Sequence, residues 1–372
     1  MSAAQTIPGP PTAFDLAIVG GGPAGTAAAI TAARLGAKVA LFESGEFPRQ
    51  KVCGEFISAE SLDILRDLLR ELPEADSVLR QSPVISQARL FLAGRVIATR
   101  VDPPALSVTR FDLDRLLWKA AMLAGVNLRA NCEVRGVTGD GPFLIDTDSG
   151  ESRADRLVVA AGRWSRFRPP IAVPAGAKWI GVKAHFRERN PALSTDLYFF
   201  ENGYCGVQPV AADIINACAM VRSDRARTLA EVFALHPALA KRRQTWQPVT
   251  EPVSTAPLIY REPEPVRGSI LFVGDAAGFI DPFVGDGISI ALRTGCLAAR
   301  ELVAGANGSS ALPAAVAAYH RSYCDQFAPL LRAATRVRKL LSCPQLLQAA
   351  VLPLLRLPGL LPYIIRKTRN AR

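Results

Sequence analysis

The first third of the chain alternates between short apolar runs and longer stretches with a helical period. Residues 14–19 form an apolar-rich run that ends at glycines, as expected of a strand buried on both faces. Residues 23–35 are Ala-rich and closed by Gly36, which predicts a helix. Residues 38–42 form a second apolar run ending at Glu43. Together they predict a βαβ unit with a right-handed crossover. Residues 58–72 carry an amphipathic helical pattern, residues 84–101 alternate about a turn at Gly94 and predict a hairpin, and residues 112–123 are again helical. Strands are expected at 127–137, 144–148 and 157–160.

Beyond residue 178 the period becomes two. Residues 180–186, 196–200, 204–209 and 214–221 predict strands of a second sheet. Residues 270–273 form another short apolar strand before Gly274-Asp275, and 287–303 predict a helix. From Leu312 the pattern is helical, with interruptions at Pro344, Pro353, Pro358 and Pro362. No internal repeat is visible, and the Gly/Ser stretch at 305–310 is the compositional linker.

Composition narrows the picture only slightly. A chain of 372 residues that is 49% apolar and 21% charged can bury a large core in two packed lobes. No run approaches the ~20 apolar residues of a membrane span, and residues 1–12 lack the basic start of a secretory signal. Seven scattered cysteines without CxxC or metal-ligand spacing fit reduced thiols and a cytoplasmic location. The net charge of +11 is concentrated late, since no acidic residue follows Asp325. Basic residues there are not interleaved with aromatics, which argues against nucleic acid. Leucines and isoleucines among Arg356, Arg366, Lys367 and Arg369 suit peripheral contact with the inner face of a membrane. Helices capping the substrate lobe are the equal alternative.

Two glycine motifs carry the chemistry. Gly20-Gly21-Gly22-Pro23-Ala24-Gly25 lies between a predicted strand and helix, and Glu43 ends the next strand. Gly20 permits the tight turn, Gly22 allows a pyrophosphate to approach the backbone at a helix N-terminus, and Gly25 allows helix and strand to pack closely. Glu43 can accept bonds from a ribose diol. A glycine turn without a ligand is the alternative. The second motif is Gly274-Asp275-Ala276-Ala277-Gly278, followed by Pro282, Gly285, Asp286 and Gly287. Its carboxylate suits a polyol chain, and its glycines bring amides to an anionic ring edge. A second phosphate loop or a structural turn would also explain it.

These motifs, with residues 47–55 (Phe-Pro-Arg-Gln-Lys-Val-Cys-Gly-Glu), resemble the para-hydroxybenzoate-hydroxylase-like flavoprotein superfamily, and its geranylgeranyl-reductase-like branch in particular. The resemblance spans about residues 14–305. It implies an α/β fold with a Rossmann-like FAD-binding domain on a parallel sheet (1–80, 106–170 and 262–308). An antiparallel substrate domain (81–105 and 171–261) and C-terminal helices (309–372) complete it. FAD is the implied cofactor, with NAD(P)H as a candidate transient reductant. Gly20, Gly22, Pro23, Ala24, Gly25, Glu43 and Ser44 would hold its AMP half, with Val134 bordering the adenine. Arg49, Arg110 and Gly162 would lie beside the cofactor. Asp275 would take the ribityl chain, and Pro282, Gly285, Gly287 and Ile288 would face the flavin pyrimidine edge. Cys53 and Gly54 would lie near the isoalloxazine, where Cys53 is the candidate catalytic thiol or simply a small packing residue.

Departures from the family pattern bear on the reaction. In residues 157–168, Gly162, Ser165 and Arg168 match the second fingerprint, but Ala161 replaces its aspartate, which weakens the case for direct NADPH use. The segment 203–209 keeps only Tyr204 and Pro209 of an aromatic motif, and lacks the tryptophans of flavin halogenases. No second GxGxxG provides a nicotinamide domain, so a redox protein is an alternative electron donor. His185, His236 and His320 are isolated in sequence and read as packing or surface residues. The leading expectation is an FAD-dependent oxidoreductase that reduces an alkene in an apolar prenyl-lipid or polyketide-like substrate. The alternatives are a monooxygenase and a membrane-surface electron carrier.

Overall fold

In the computed structural model of the chain, the structure describes residues 12–92, 94–164, 166–169, 176–260, 262–279, 285–304 and 311–330. Pro282, Ser165 and the basic tail beyond residue 330 lie outside them.

The parallel sheet grows from its most apolar strand. In β1 (Thr12–Val19), Leu16, Ala17 and Ile18 are fully buried, so both faces must be covered. β1 is flanked by β2 (Val39–Phe42) and β9 (Gly150–Val159), both parallel to it. β6 (Asn127–Arg129) extends one side in parallel and β17 (Ile270–Phe272) the other. β16 (Val266–Arg267) closes that edge, and the hairpin β7 (Val134–Thr138) and β8 (Phe143–Thr147) attaches to β9. The predicted strand at 127–137 is therefore two strands, separated by a turn in which Asn131 takes a positive φ of 52°.

Helix α1 (Pro23–Arg34) lies between this sheet and α7 (Gly287–Ala304). Alanine suits α1 because both of its sides are covered: Ala24, Ala27, Ala28, Ala29 and Ala32 are all buried. The crossing is close enough that a Cβ on Gly295 would lie 2.2 Å from the Ala24 carbonyl oxygen. Helix α8 (Ala311–Gln326) packs outside α7, and the buried Tyr319 hydroxyl donates to the Phe272 carbonyl at 2.7 Å.

The second sheet joins β3 (Phe56–Ile57), β4 (Val84–Leu92) and β5 (Arg95–Ser107) to β10 (Trp179–Arg187), β11 (Ser194–Phe200), β12 (Gly203–Ala211) and β13 (Ile214–Arg222). β14 (Gln247–Pro248) and β15 (Val253–Thr255) pair with β10 at the edge. Pairing is mostly antiparallel, but β4 and β11 run parallel. One face buries Ile180, Val182, Ala184, Val207 and Ala217 under α5 (Leu229–Ala234) and α6 (Pro237–Arg242). These two six-residue helices are too short for a periodic signal, although Thr228 and Glu231 form a capping box on α5. The expected helix at 58–72 is α2 (Ala59–Leu69); a further helix that was not expected, α3 (Pro73–Gln81), follows and starts at its proline. Helix α4 (Arg110–Leu123) begins at the N-cap Thr109, whose hydroxyl accepts from the Asp112 amide.

Because a Cβ at position 295 has nowhere to go, Gly295→Val should destabilise the fold by about 1–3 kcal/mol. Urea titration should show a lowered midpoint; an unchanged midpoint would contradict the close crossing of α1 and α7.

Candidate cofactor and substrate cleft

The two sheets enclose a cavity of about 760 Å³, within the range of ligand sites. The glycine turn forms one end. Gly20 has a φ of +110°, and a Cβ there would lie 2.4 Å from the Ala160 carbonyl oxygen. At Gly25 a Cβ would lie 1.8 Å from the Gly20 carbonyl oxygen. Gly22 differs, because a Cβ there meets no atom within 4 Å. Its bare backbone faces the cavity at the start of α1, where no side chain caps the helix. That arrangement suits an anionic group.

Glu43 sits opposite this turn. Its carboxylate accepts from the Gly21 amide at 2.8 Å, the Gly45 amide at 3.1 Å and the Arg49 guanidinium at 2.7 Å. Burial works to raise its pKa, but the bonds from Gly21, Arg49 and Gly45 outweigh it and hold the carboxyl below its ordinary value.

At the other end, Asp275 follows β17, after Gly274 at a φ of +58°. Its carboxylate lies 4.0 Å from the Arg163 guanidinium, which sits 4.4 Å from the centre of the Phe279 ring. Gly285, Gly287 and Ile288 bring the start of α7 to the same cavity. Thus Gly20, Gly22, Pro23, Ala24, Glu43, Ser44, Arg49, Cys53, Gly54, Arg110, Val134, Gly162, Asp275, Gly285, Gly287 and Ile288 all line one space. Gly25 does not; its role in the structure is backbone packing. Arg168 of the second fingerprint also turns inwards, donating to the Ala277 carbonyl at 2.9 Å and to the Glu264 carbonyl.

Arg110 is held by Asp114 through bonds of 2.9 and 2.7 Å, with the Cys53 thiol beside it. Burial alone would lower its pKa, but Asp114 raises it, so the guanidinium is permanently charged. Burial likewise pushes the Cys218 thiol, on the cavity roof, up to about 12.

Sequence reasoning missed one cluster. Glu55 is fully buried and adopts a positive φ of 61°. Its carboxylate accepts from the Arg110 amide at 2.7 Å, pairs with His185 Nε2 at 2.7 Å and pairs with Lys183 Nζ. Burial raises its pKa, but His185 and Lys183 outweigh that and hold it low. Lys183 Nζ also donates to the Gln50 side-chain carbonyl at 3.1 Å. The signal was present in β10, where Lys183 and His185 interrupt an apolar strand at i and i+2 and so share one face. His185 is indeed a satisfied buried histidine, but its partner is two residues from Cys53. Among the described residues no group of side chains is arranged to hold a metal ion.

The low pKa of Glu43 has a consequence for stability. Its folded value lies below the ordinary 4.5, so the unfolded chain binds this proton more tightly. The stabilisation is present above that ordinary value and is lost as pH falls through the folded one. The advantage of wild type over Glu43→Gln should be about 1–3 kcal/mol at neutral pH. It should shrink as pH falls below 4.5. Denaturant titrations across that range check this, and a gap that widens on acidification contradicts it.

Comparison with known proteins agrees with this geometry. A family described as "FAD binding domain" matches residues 13–331. The chain is 28% identical over 323 residues to conditioned medium factor receptor 1 of Dictyostelium discoideum, covering 78% of this chain but 63% of that protein. It is 26% identical over 403 residues to menaquinone reductase of Mycolicibacterium smegmatis, covering 96% and 92% of the two chains. The flavin-dependent brominase Bmp2 shares its fold, with a TM-score of 0.78 at 22% identity over 96% of this chain and 93% of that one. So does a geranylgeranyl bacteriochlorophyll reductase-like protein of Thermoplasma acidophilum, with a TM-score of 0.73 at 20% identity over 97% and 96%. The match across nearly all of both sheets, together with the two glycine motifs on one cavity, makes this chain a flavin-dependent enzyme of the FAD-binding domain family.

Proposed function

We propose that the enzyme reduces an apolar, prenyl-lipid or polyketide-like substrate at a carbon–carbon double bond. The observation that carries this reading is the composition of the cavity roof. Beyond the glycine motifs, the cavity runs under the second sheet and is lined by Ala88, Leu90, Leu197, Met220, Leu258 and Phe279. Strands β4, β11, β12 and β13 are consecutive neighbours in that sheet. At about 4.8 Å per strand, four strands make a slot on the order of 15 Å wide. Small residues at its centre, Gly206 and Cys218, are paired across β12 and β13 and leave room beneath them. An extended apolar molecule can be buried there with little desolvation penalty.

FAD, when bound, supplies two-electron hydride chemistry. The chain's own residues do the rest. The Gly22 backbone and the start of α1 bind the pyrophosphate, Glu43 the adenosine ribose, and Asp275 the ribityl hydroxyls. The apolar roof excludes water and holds the substrate over the cofactor. Cys53 Sγ, on the wall of the same cavity, holds the proton that completes reduction. An apolar slot continuous with the cofactor site favours transformation of a substrate over simple electron relay. The reductase name of the mycobacterial relative supports the reductive direction. The electron donor in this reading is NAD(P)H bound transiently, or a redox protein. The basic tail would bring the enzyme to a membrane surface where such substrates reside.

Two measurements test this. Reduced holoenzyme mixed anaerobically with menaquinone or a geranylgeranyl lipid should be reoxidised, with the prenyl chain of the product gaining two hydrogens; menaquinone reduced only at its ring to the quinol would contradict alkene reduction. Turnover only with oxygen, and an oxygen atom in the product, would establish a monooxygenase instead. Second, a Cβ at Gly206 has ordinary contact with Leu197 at 3.4 Å, so Gly206→Leu fits while its outer atoms enter the slot. It should raise KM for the lipid by about tenfold and leave the visible flavin spectrum unaltered. An unchanged KM would place the substrate elsewhere.

A further inference from the structure

The cluster of Glu55, Lys183 and His185 has no part in the steps above, yet it is the most heavily buried charged group beside the cleft. Glu55, Lys183 and His185 are each no more than 3% exposed. A buried ion pair is a poor way to add stability, because desolvation of both charges offsets their attraction. Glu55 also takes a left-handed backbone conformation, which costs a non-glycine residue about 1 kcal/mol or more. Stability alone does not account for such a group.

Its contacts show what it holds. The segment 50–54 forms one wall of the cavity. Lys183 Nζ bonds Gln50 at 3.1 Å and the Glu55 carboxylate, gripping that wall at both ends. Between these points, Asn216 on β13 donates to the Cys53 carbonyl at 2.9 Å. The Glu55 amide points at Cys53 Sγ at 3.4 Å. Gln208 on β12 and Ser107 on β5 donate to the Glu55 carbonyl at 3.1 and 3.2 Å. The Arg110 amide completes the ring by binding the Glu55 carboxylate from the start of α4. Four elements of the second sheet and α4 therefore converge on residues 50–55, and every bond is to a group within two residues of Gly54 or at the end of that wall.

We infer that Glu55, Lys183 and His185 are positioning residues that clamp the cavity wall, fixing Cys53 and Gly54 against the space assigned to the flavin. They act through the backbone of 53–55; Glu55 borders the cavity, whereas Lys183 and His185 stand behind it. The inference concerns the wall itself and holds whichever molecule the enzyme reduces.

The test uses FAD-loaded protein and alkylation by iodoacetamide, located by peptide mass spectrometry. Glu55→Gln combined with Lys183→Met removes both charges, so neither is left buried and alone. With the clamp gone, Cys53 labelling should accelerate about tenfold, the change in accessibility expected for loss of one charge-assisted bond. Labelling of Cys324 on α8 should be unaltered, and the visible circular dichroism of the flavin should change. A double variant that loses only melting temperature, with Cys53 labelling and the flavin signal both unchanged, would reduce the cluster to a structural role and overturn the inference. If the double variant does not fold, His185→Gln is read in the same way. Faster Cys53 labelling supports the clamp, and an unaltered rate overturns it.

Discussion

The structure depends on three backbones meeting where no side chain can intervene. Gly20 lies against the Ala160 carbonyl, Gly25 against the Gly20 carbonyl, and Gly295 against the Ala24 carbonyl. These contacts set the start of α1 at the carboxyl ends of β1 and β9 and bring α7 across it. The starts of both helices then open onto one cavity. The positive dipole ends of both helices are thereby concentrated where two anionic portions of a dinucleotide can reach them. Alanine at 24 and 28 suits the same constraint, since Gly295 of α7 meets the backbone at these two residues.

The second sheet answers a different requirement. Its outer face is an ordinary apolar layer closed by α5 and α6. Its inner face is divided. Over β4, β11, β12 and β13 it is apolar and interrupted by small residues, and it forms the roof of the slot. Towards the middle of β10, and at Gln208 and Asn216, it becomes a polar island built around Glu55. The apolar part can accept a substrate without binding water. The polar part secures the segment 50–55, which forms one wall of that cavity. One sheet thus provides both a dry surface and a fixed boundary.

Much of this was legible in the residues themselves. Glycine spacing, flanking strands and Glu43 disclosed the first motif, because the chemistry of a tight phosphate turn is local. Gly274-Asp275 was legible for the same reason. The role of Gly25 was not fully separable from ligand contact, since glycine that packs and glycine that binds look alike in sequence. Structure distinguishes them: Gly25 is closed off by the Gly20 carbonyl. The Glu55 cluster was the largest omission. Its members are 128 and 130 residues apart, and nothing in the local pattern of either segment announces the other. Helix α3, which starts at Pro73, was not foreseen, and the division of β6 from β7 was missed because a turn at Asn131 interrupts otherwise continuous periodicity.

The most direct measurement of the central claim is titration of the purified, flavin-free chain with FAD, followed by quenching of flavin fluorescence. A single cavity spanning both glycine motifs predicts saturable binding of one FAD per chain, weakened in parallel by Gly22→Val at one end and Asp275→Ala at the other. Unaltered affinity in either variant, or preferential binding of NAD over FAD, would contradict a cofactor stretched between the two motifs.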